Sequence, residues 1–452
     1  MGNRESFGSK FAVLAALAGS AIGLGNIWRF PYMVGENGGA AFIIIYMAAS
    51  LLLSVPIFLA EFTIGRRSGA NCFGALKVLS PGTGWKWLGV LCILTPTLIL
   101  SYYAVVGGWS LHYLFKACTL GFLNSGQDGV AGSFGIFISS PYASVTAFAI
   151  YMAVSCLIVV GGVRKGIEAF SKFAIPVLFV LIIALAIYSL TIKGGAAGVE
   201  YLLKPDFSKV TASTFANAIG QSFYSISLGM GIIITYSSYV SKDENMLFSG
   251  IGTAGFDLLF ALLAGFVIMP AVFAAGIAPG AGPGLIFDTL PYIFASMCKS
   301  APVVGCTVAI FFFLSVVIAA LTSSVSLIEV PVAWLIEERK LGRGAATAIV
   351  FIVTGAIGAV CALAFGPLKG CTILGHNLFD ALDLFCCNFL LPVGGMLCVI
   401  FVGWKMKRSD FYDEFTNGGK LSGNAKLFPA VYFLLRYLAP VAVAIIFASN
   451  FL

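Results

Sequence analysis

Apolar residues along this chain fall in long continuous runs rather than in alternation. The runs cover 11–35, 39–66, 86–117, 142–162, 166–192, 213–240, 246–275, 303–336, 344–366, 374–404 and 427–451, separated by charged or Gly/Pro-rich breaks. Each reaches the ~20 residues that a helix needs to cross a bilayer. Continuous runs exclude a β-barrel, whose strands alternate. The pattern predicts an all-α integral membrane protein with about eleven transmembrane helices. The stretch 282–300 opens on Gly282-Pro283-Gly284 and is too interrupted to span, so it reads as an ordered outer loop with a short helix.

Composition agrees. Hydrophobic residues make up 60% of the 452 and charged residues 10%, with a mean hydropathy of +1.00. A soluble domain is about half apolar and a quarter charged, which excludes a soluble enzyme, a disordered chain and a disulfide scaffold. The net charge of +7 is no nucleic-acid signal, because the cations sit in short loops between apolar runs. They report orientation instead. With the N-terminus in the cytoplasm, eighteen of the 26 Lys and Arg lie on the inner side and six on the outer; Arg29 and Arg436 belong to neither. That bias sets the N-terminus inside, and an odd number of spans puts the C-terminus outside.

The eleven cysteines are mostly scattered singly within apolar runs, and the two histidines, His112 and His376, are far apart. Neither pattern suggests a transition-metal site or an organic cofactor. No nucleophile and base occur at a usable spacing, so no enzyme is expected. The chain reads as one domain, 1–452. Spans 1–5 cover 11–192 and spans 6–10 cover 213–404, leaving 427–451 as an extra helix. Five is odd, so a second copy of the first half runs in the opposite sense, an inverted repeat of the kind many transporters use.

Two spans carry glycine clusters at mid-depth. Span 1 reads Gly19-Ser20-Ala21-Ile22-Gly23-Leu24-Gly25-Asn26, and span 6 reads Ser225-Ile226-Ser227-Leu228-Gly229-Met230-Gly231. Both are the first span of their half. Close helix packing is one use for such glycines. Matched positions with polar neighbours favour the other, a helix that unwinds where it lines a polar cavity. Freed carbonyls then face cations and new helix N-termini face anions. A third polar cluster, Thr322-Ser323-Ser324 beside Ala319, offers hydroxyls suited to a hard, oxygen-seeking cation. Glu61, Asp257 and Glu329 lie inside spans, where charge is costly and marks function or a buried network; a network is the expectation for Glu61 and Glu329.

The run from Gly19 through Trp28-Arg29-Phe30-Pro31-Tyr32 to Glu36-Asn37-Gly38-Gly39 resembles the signature of the neurotransmitter:sodium symporter family. The span 6 cluster, Tyr236-Ser237-Ser238-Tyr239 and Leu321-Thr322-Ser323-Ser324 are similar to that family as well. The likeness extends from Arg4 to about Leu435, and eleven spans resemble a bacterial subgroup. It implies a five-plus-five inverted repeat, with helices 1 and 6 broken at the midplane, that cotransports sodium with an amino acid across the bacterial inner membrane.

The resemblance also implies roles. One sodium ion would use the Ala21 carbonyl, Asn26, Ser225, Asp257 and the substrate carboxylate. A second would use the carbonyls of Gly19, Ile22 and Ala319 with the hydroxyls of Thr322 and Ser323. The substrate would lie among Ala21, Gly25, Ile99, Tyr103, Tyr224, Ser225, Ser227, Met230, Ser323, Ser326 and Leu327, a lining that suits a neutral hydrophobic or aromatic amino acid. Monoamine carriers hold an Asp where Gly23 stands here, so an amino acid is implied rather than an amine. Arg29 and Asp383 would form the outer gate, and Arg4 and Glu337 the inner one, with Phe7 and Tyr239 around it. Gly166 and Pro176 would let helix 5 unwind. Chloride-dependent relatives carry Asn at the position of Asp257 and bind chloride near those of Tyr46, Gln221 and Ser225. Asp257 therefore implies chloride independence with outward proton movement. The alternative is a proton-driven carrier of the same architecture.

Overall fold

A computed structural model describes residues 5–276 and 284–449, the side chain of Ser449 excepted. Among them, nine helices are long and apolar enough to cross a membrane: α2 (Ala40–Ser68), α3 (Lys86–Cys118), α4 (Pro141–Val160), α5 (Val163–Ser189), α7 (Met246–Ala274), α8 (Pro302–Arg339), α9 (Arg343–Leu363), α10 (Leu378–Lys405) and α11 (Ser422–Ala448). The pair Lys10–Ala21 and Gly25–Glu36, bent by 52°, makes a tenth, α1. Ala212–Ser225 and Ile232–Ser237 form α6. They are separated by a non-helical stretch, so neither piece is long enough alone.

Helix ends follow from local chemistry. Ser9 accepts a hydrogen bond from the Ala12 amide, Asn245 caps α7, and Pro141 and Pro302 open α4 and α8. Small polar side chains satisfy the first free amides of a helix, and Pro fits its first turn. Gly69, with φ of 59°, closes α2.

Two starts differ most from the sequence reading: α11 begins at Ser422 rather than at 427, and α10 begins late. Span 10 was expected from 374, but Thr372–Ile373 and His376–Asn377 pair as an antiparallel hairpin. Leu374 and Gly375 between them both have positive φ, 52° and 84°. That is the backbone of a two-residue turn matched to strand twist. Asn377 then accepts from the Asp380 amide at 2.9 Å and starts α10. The segment 284–300 is helical, and its apolar face packs against the C-terminal part of α3 and the N-terminal part of α8: Tyr113 donates to the Phe287 carbonyl at 2.8 Å, and Phe294 meets Phe312 and Phe313. Residues 282–283 of that expected loop lie outside the described residues.

The core is centred on α3 packed along α8. The first piece of α1 rests on α5, α7 and α8, while both pieces of α6 rest on α2. The pairing of α1 with α7 repeats that of α6 with α2, as an inverted repeat predicts. The two breaks thus come to face each other between α3 and α8.

Candidate functional site

The α6 break runs through Ile226–Gly231. Ser227, Gly229 and Gly231 have φ of 59°, 79° and 72°. The two glycines adopt this region freely; Ser227 does so at a cost that persists only when its surroundings enforce it. Its hydroxyl donates to the Ser20 carbonyl at 2.8 Å and ties the two breaks together. Glu61, fully buried on α2, accepts from the Gly229 amide at 2.6 Å, and Cys72 donates to the Gly231 carbonyl. In α1, the Leu24 amide donates to the Tyr103 hydroxyl at 3.1 Å. Backbone polar groups released at mid-membrane are therefore met by side chains, the condition for tolerating a break there.

Between the breaks lies a small cavity of about 30 Å³, room for roughly one water. Its walls are Ala21, Gly25, Ile99, Tyr103, Tyr224, Ser225, Ser227, Met230, Ser323 and Leu327, with Ser20, Gly23 and Ile232 added. Ser326 is not on the wall. It donates to the Thr322 carbonyl and accepts from Tyr236. At Gly23 there is no room for a side chain: a Cβ would sit 2.5 Å from the Ser323 hydroxyl and 2.9 Å from that of Tyr103. Above lies a second cavity of about 200 Å³, lined by Trp28, Arg29, Tyr32, Tyr102, Phe379, Asp383, Cys387 and Asn388 among others. Gly25, Tyr103 and Tyr224 border both cavities and form the partition. Arg29 and Asp383 share this upper space without an ion pair among the described residues; the Arg29 guanidinium lies 5.0 Å over the Tyr224 ring.

Two oxygen clusters flank the lower cavity. In one, Thr322 and Ser323 hydroxyls both lie 3.3 Å from the Ile22 carbonyl, Thr322 is 2.9 Å from the Ala319 carbonyl, and Gly19 packs against Thr322. A distance of 3.3 Å is long for an O–H···O bond. It is close to the ~3.4 Å edge of an octahedral shell with ~2.4 Å oxygen bonds. In the other, the buried Asp257 carboxylate accepts from Asn26 and Ser225 at 2.7 Å each and from Tyr46 at 2.8 Å. The Asn26 oxygen meanwhile accepts from the Gly23 amide. Gln221, also buried, has neither amide atom paired among the described residues.

The opposite end of the bundle, at Phe7 and Tyr239, is closed. Phe7 donates to the Tyr239 carbonyl at 3.2 Å and packs edge-on against Tyr236 and Tyr239. Tyr239 donates to Glu329, which is paired with Arg343 at 2.7 Å. Glu337 accepts from both the backbone and side chain of Asn71; Arg4, its expected partner, lies outside the described residues. Gly166 sits against the Ile158 carbonyl, with no space for a Cβ, and α5 is helical from Val163 through Pro176. Replacing Arg343 with Gln leaves Glu329 buried without its cation. Loss of one member of a buried pair costs about 3 kcal/mol or more. Hydrogen exchange at residues 5–9 and 236–240 is expected to speed up, and unchanged exchange would show that the pair does not hold this end shut.

The sequence profile described as the sodium:neurotransmitter symporter family matches residues 4–123 and 138–452. The chain belongs to this family. It is 36% identical over 445 residues to an uncharacterized sodium-dependent transporter, YhdH, of Bacillus subtilis (98% of this chain, 96% of the relative). It is 34% identical over 458 residues to one of Haemophilus influenzae (99% and 98%). The crystal structure of MhsT in complex with L-phenylalanine superposes with a TM-score of 0.89 at 42% identity, covering 99% of this chain and 100% of that one. The protein is thus a multi-pass membrane transporter of the sodium-dependent class, and not an enzyme.

Some elements of this symporter's site lay beyond sequence reasoning. Ile232 on the cavity wall had no distinguishing signal, being an apolar residue in an apolar run; Ser20 stood in the span 1 cluster and Cys387 beside Cys386, but nothing in the sequence placed either on a cavity wall. Glu61 was visible as a buried acid, but its bond to Gly229 joins residues 168 positions apart.

Proposed function

We propose that this sodium-dependent transporter carries a neutral hydrophobic or aromatic amino acid into the cell by symport, using two sodium ions. The observation that carries this reading is a cavity walled by Ile99, Met230 and Leu327, with no charged side chain on that wall and an oxygen cluster on each side. Ala21, Asn26, Ser225 and Asp257 hold the first ion together with the substrate carboxylate. Gly19, Ile22, Ala319, Thr322 and Ser323 hold the second. Gly25 and Tyr103 meet the substrate carboxylate; the Ala21 and Tyr224 carbonyls and Ser227 meet its ammonium. Gly23 leaves no acid to take the place of that carboxylate, which favours an amino acid over an amine. The L-phenylalanine held by the related MhsT supports an aromatic side chain. Met is adaptable, so several apolar substrates fit.

The lower cavity is smaller than any such substrate, so binding separates its walls and moves Tyr224 and Arg29 toward Asp383. The cytoplasmic contacts around Phe7, Tyr239 and Glu337 then release, and α5 unwinds between Gly166 and Pro176 to admit water to the second ion. The halves 11–192 and 213–404 rock against each other as inverted repeats. The protein lies in a bacterial inner membrane with its N-terminus inside and C-terminus outside. Chloride is not required, because Asp257 supplies the negative charge. Once the ions leave, that charge is uncompensated in a low-dielectric interior, and a proton neutralises it for the return step.

Binding of labelled phenylalanine to the purified protein in sodium or potassium buffer, with unlabelled competitors, tests this reading. Sodium-dependent binding displaced by leucine, tyrosine or tryptophan is expected. Sodium-independent binding would favour a proton-driven carrier, and displacement by glutamate or lysine alone would refute the substrate class. In the same assay Tyr103→Phe removes one hydrogen bond to a carboxylate, worth ~1.5–3 kcal/mol. Affinity should fall at least tenfold; a change within twofold would make Tyr103 a packing residue.

A further inference from the structure

Arg436 lies inside α11, beyond every residue the transport site uses. Its guanidinium is surrounded by rings, with its carbon 4.8 Å from the Trp404 centroid, 5.6 Å from Tyr437 and 5.8 Å from Tyr432. It donates to the Tyr432 hydroxyl at 3.2 Å, and its Nε is buried with no partner among the described residues. The Arg408 guanidinium also lies 5.2 Å from the Tyr432 ring and 5.5 Å from Phe428. Neither arginine has a carboxylate within ion-pair distance among the described residues. Of the acids on the same helix as Arg408, Asp410 pairs with Arg67 at 2.6 Å and Glu414 with Arg66 at 2.8 Å, while the exposed Asp413 pairs with neither Arg408 nor Arg436.

The depth of this cluster follows from α10. Trp404 donates to the Arg436 carbonyl and Tyr432 to the Gly403 carbonyl, so Arg436 lies level with the last residues of α10, next to the cationic run Lys405-Met406-Lys407-Arg408. This is where a membrane protein meets the headgroups. Trp and Tyr are enriched at that level. Trp404, at 57% exposure, and Tyr437, at 48%, face outward beside Phe433 at 58%, so the face of the cluster is turned to lipid. A cation here needs a counter-charge, and the described residues place none within ion-pair distance of either arginine. Guanidinium groups match phosphate oxygens in planar, paired hydrogen bonds.

We propose that Arg436 and Arg408, which both lie against the Tyr432 ring beside Trp404, bind the headgroup of an anionic phospholipid. A zwitterionic lipid has the same phosphate, but its own ammonium cancels the charge that the cluster of cations attracts. Basic pockets between membrane helices on the cytoplasmic side are suited to such headgroups.

The test uses the full chain, delipidated in detergent and titrated with phosphatidylglycerol or with phosphatidylcholine of the same acyl chains. Bound lipid is counted by native mass spectrometry, and the thermal midpoint is followed in parallel. The wild type is expected to prefer phosphatidylglycerol and to gain thermal stability from it. Arg436→Gln and Arg408→Gln should each weaken that binding about fivefold, and the double variant roughly thirtyfold, with phosphatidylcholine binding unchanged. If Arg436→Gln gives no folded protein, the exposed Arg408→Gln and the charge-retaining Arg436→Lys carry the test. Equal binding of the two lipids, or variants that keep the wild-type preference, would overturn the proposal. So would full displacement of phosphatidylglycerol by millimolar inorganic phosphate, which would make this a soluble-anion site. A lipid-independent dimer abolished by Arg408→Gln would make the face a protein interface instead.

Discussion

Asp257→Asn is expected to abolish sodium-driven uptake in chloride-free buffer and to recover part of it when chloride is added. Two sodium ions and a zwitterion bring a charge of +2 to a site with one fixed negative group. At ~4 Å and an effective dielectric of ~20, the ion held beside Asp257 gains about 4 kcal/mol from that group, so sodium affinity at this first site should fall more than a hundredfold. The substitution keeps the shape and leaves the Tyr46, Ser225 and Asn26 donors without their anion. The unpaired amide of Gln221 is also available, so these donors form a ready site for chloride. Uptake should be compared with and without chloride in wild type and variant, with a pH dye inside the vesicles. The wild type should ignore chloride and acidify the exterior as it cycles, and the variant should do neither. Chloride-dependent uptake by the wild type, or continued proton movement by the variant, would remove Asp257 from this role.

Gly229→Ala should prevent folding of the transporter core. An added Cβ would overlap the Leu391 carbonyl oxygen and come 3.0 Å from the Gly395 amide nitrogen. Both are backbone atoms, which cannot rotate away as a side-chain tip does. The position also has φ of 79°, which alanine adopts only under strain. Overpacking and backbone strain together predict a loss on the order of 4 kcal/mol, enough to erase most of the margin of a marginally stable protein. Thermal unfolding of the variant in detergent checks this. A midpoint within a few degrees of wild type would mean that α10 does not press on the break as described. Gly255, where a Cβ meets nothing within 4 Å, is the matched control.

What the sequence revealed and what it withheld follow from range. Apolar runs and glycine clusters are local, so ten spans and both breaks were legible, along with most of the cavity wall. The Leu374-Gly375 turn was hidden because a leucine at positive φ carries no signal of its own. Ser326 was assigned to the wall through resemblance, whereas its hydroxyl is drawn back to the helix and to Tyr236. The absence of an Arg29–Asp383 pair could not be read either, because whether two charges that share a cavity meet depends on how their helices are placed and not on residue identity. Arg436 was visible only as a charge that fitted neither side of the membrane; Tyr432 and Tyr437 are its neighbours on α11, but Trp404 is brought to it by α10, about 30 residues away in the chain.

The central claim is that a sodium gradient drives an apolar amino acid through the cavity between the two breaks. Purified protein in liposomes, given labelled phenylalanine outside, tests it most directly. With sodium outside and potassium inside, phenylalanine should accumulate above its external concentration and leak back when the gradient is collapsed. Accumulation that is unchanged when potassium replaces external sodium would contradict the account.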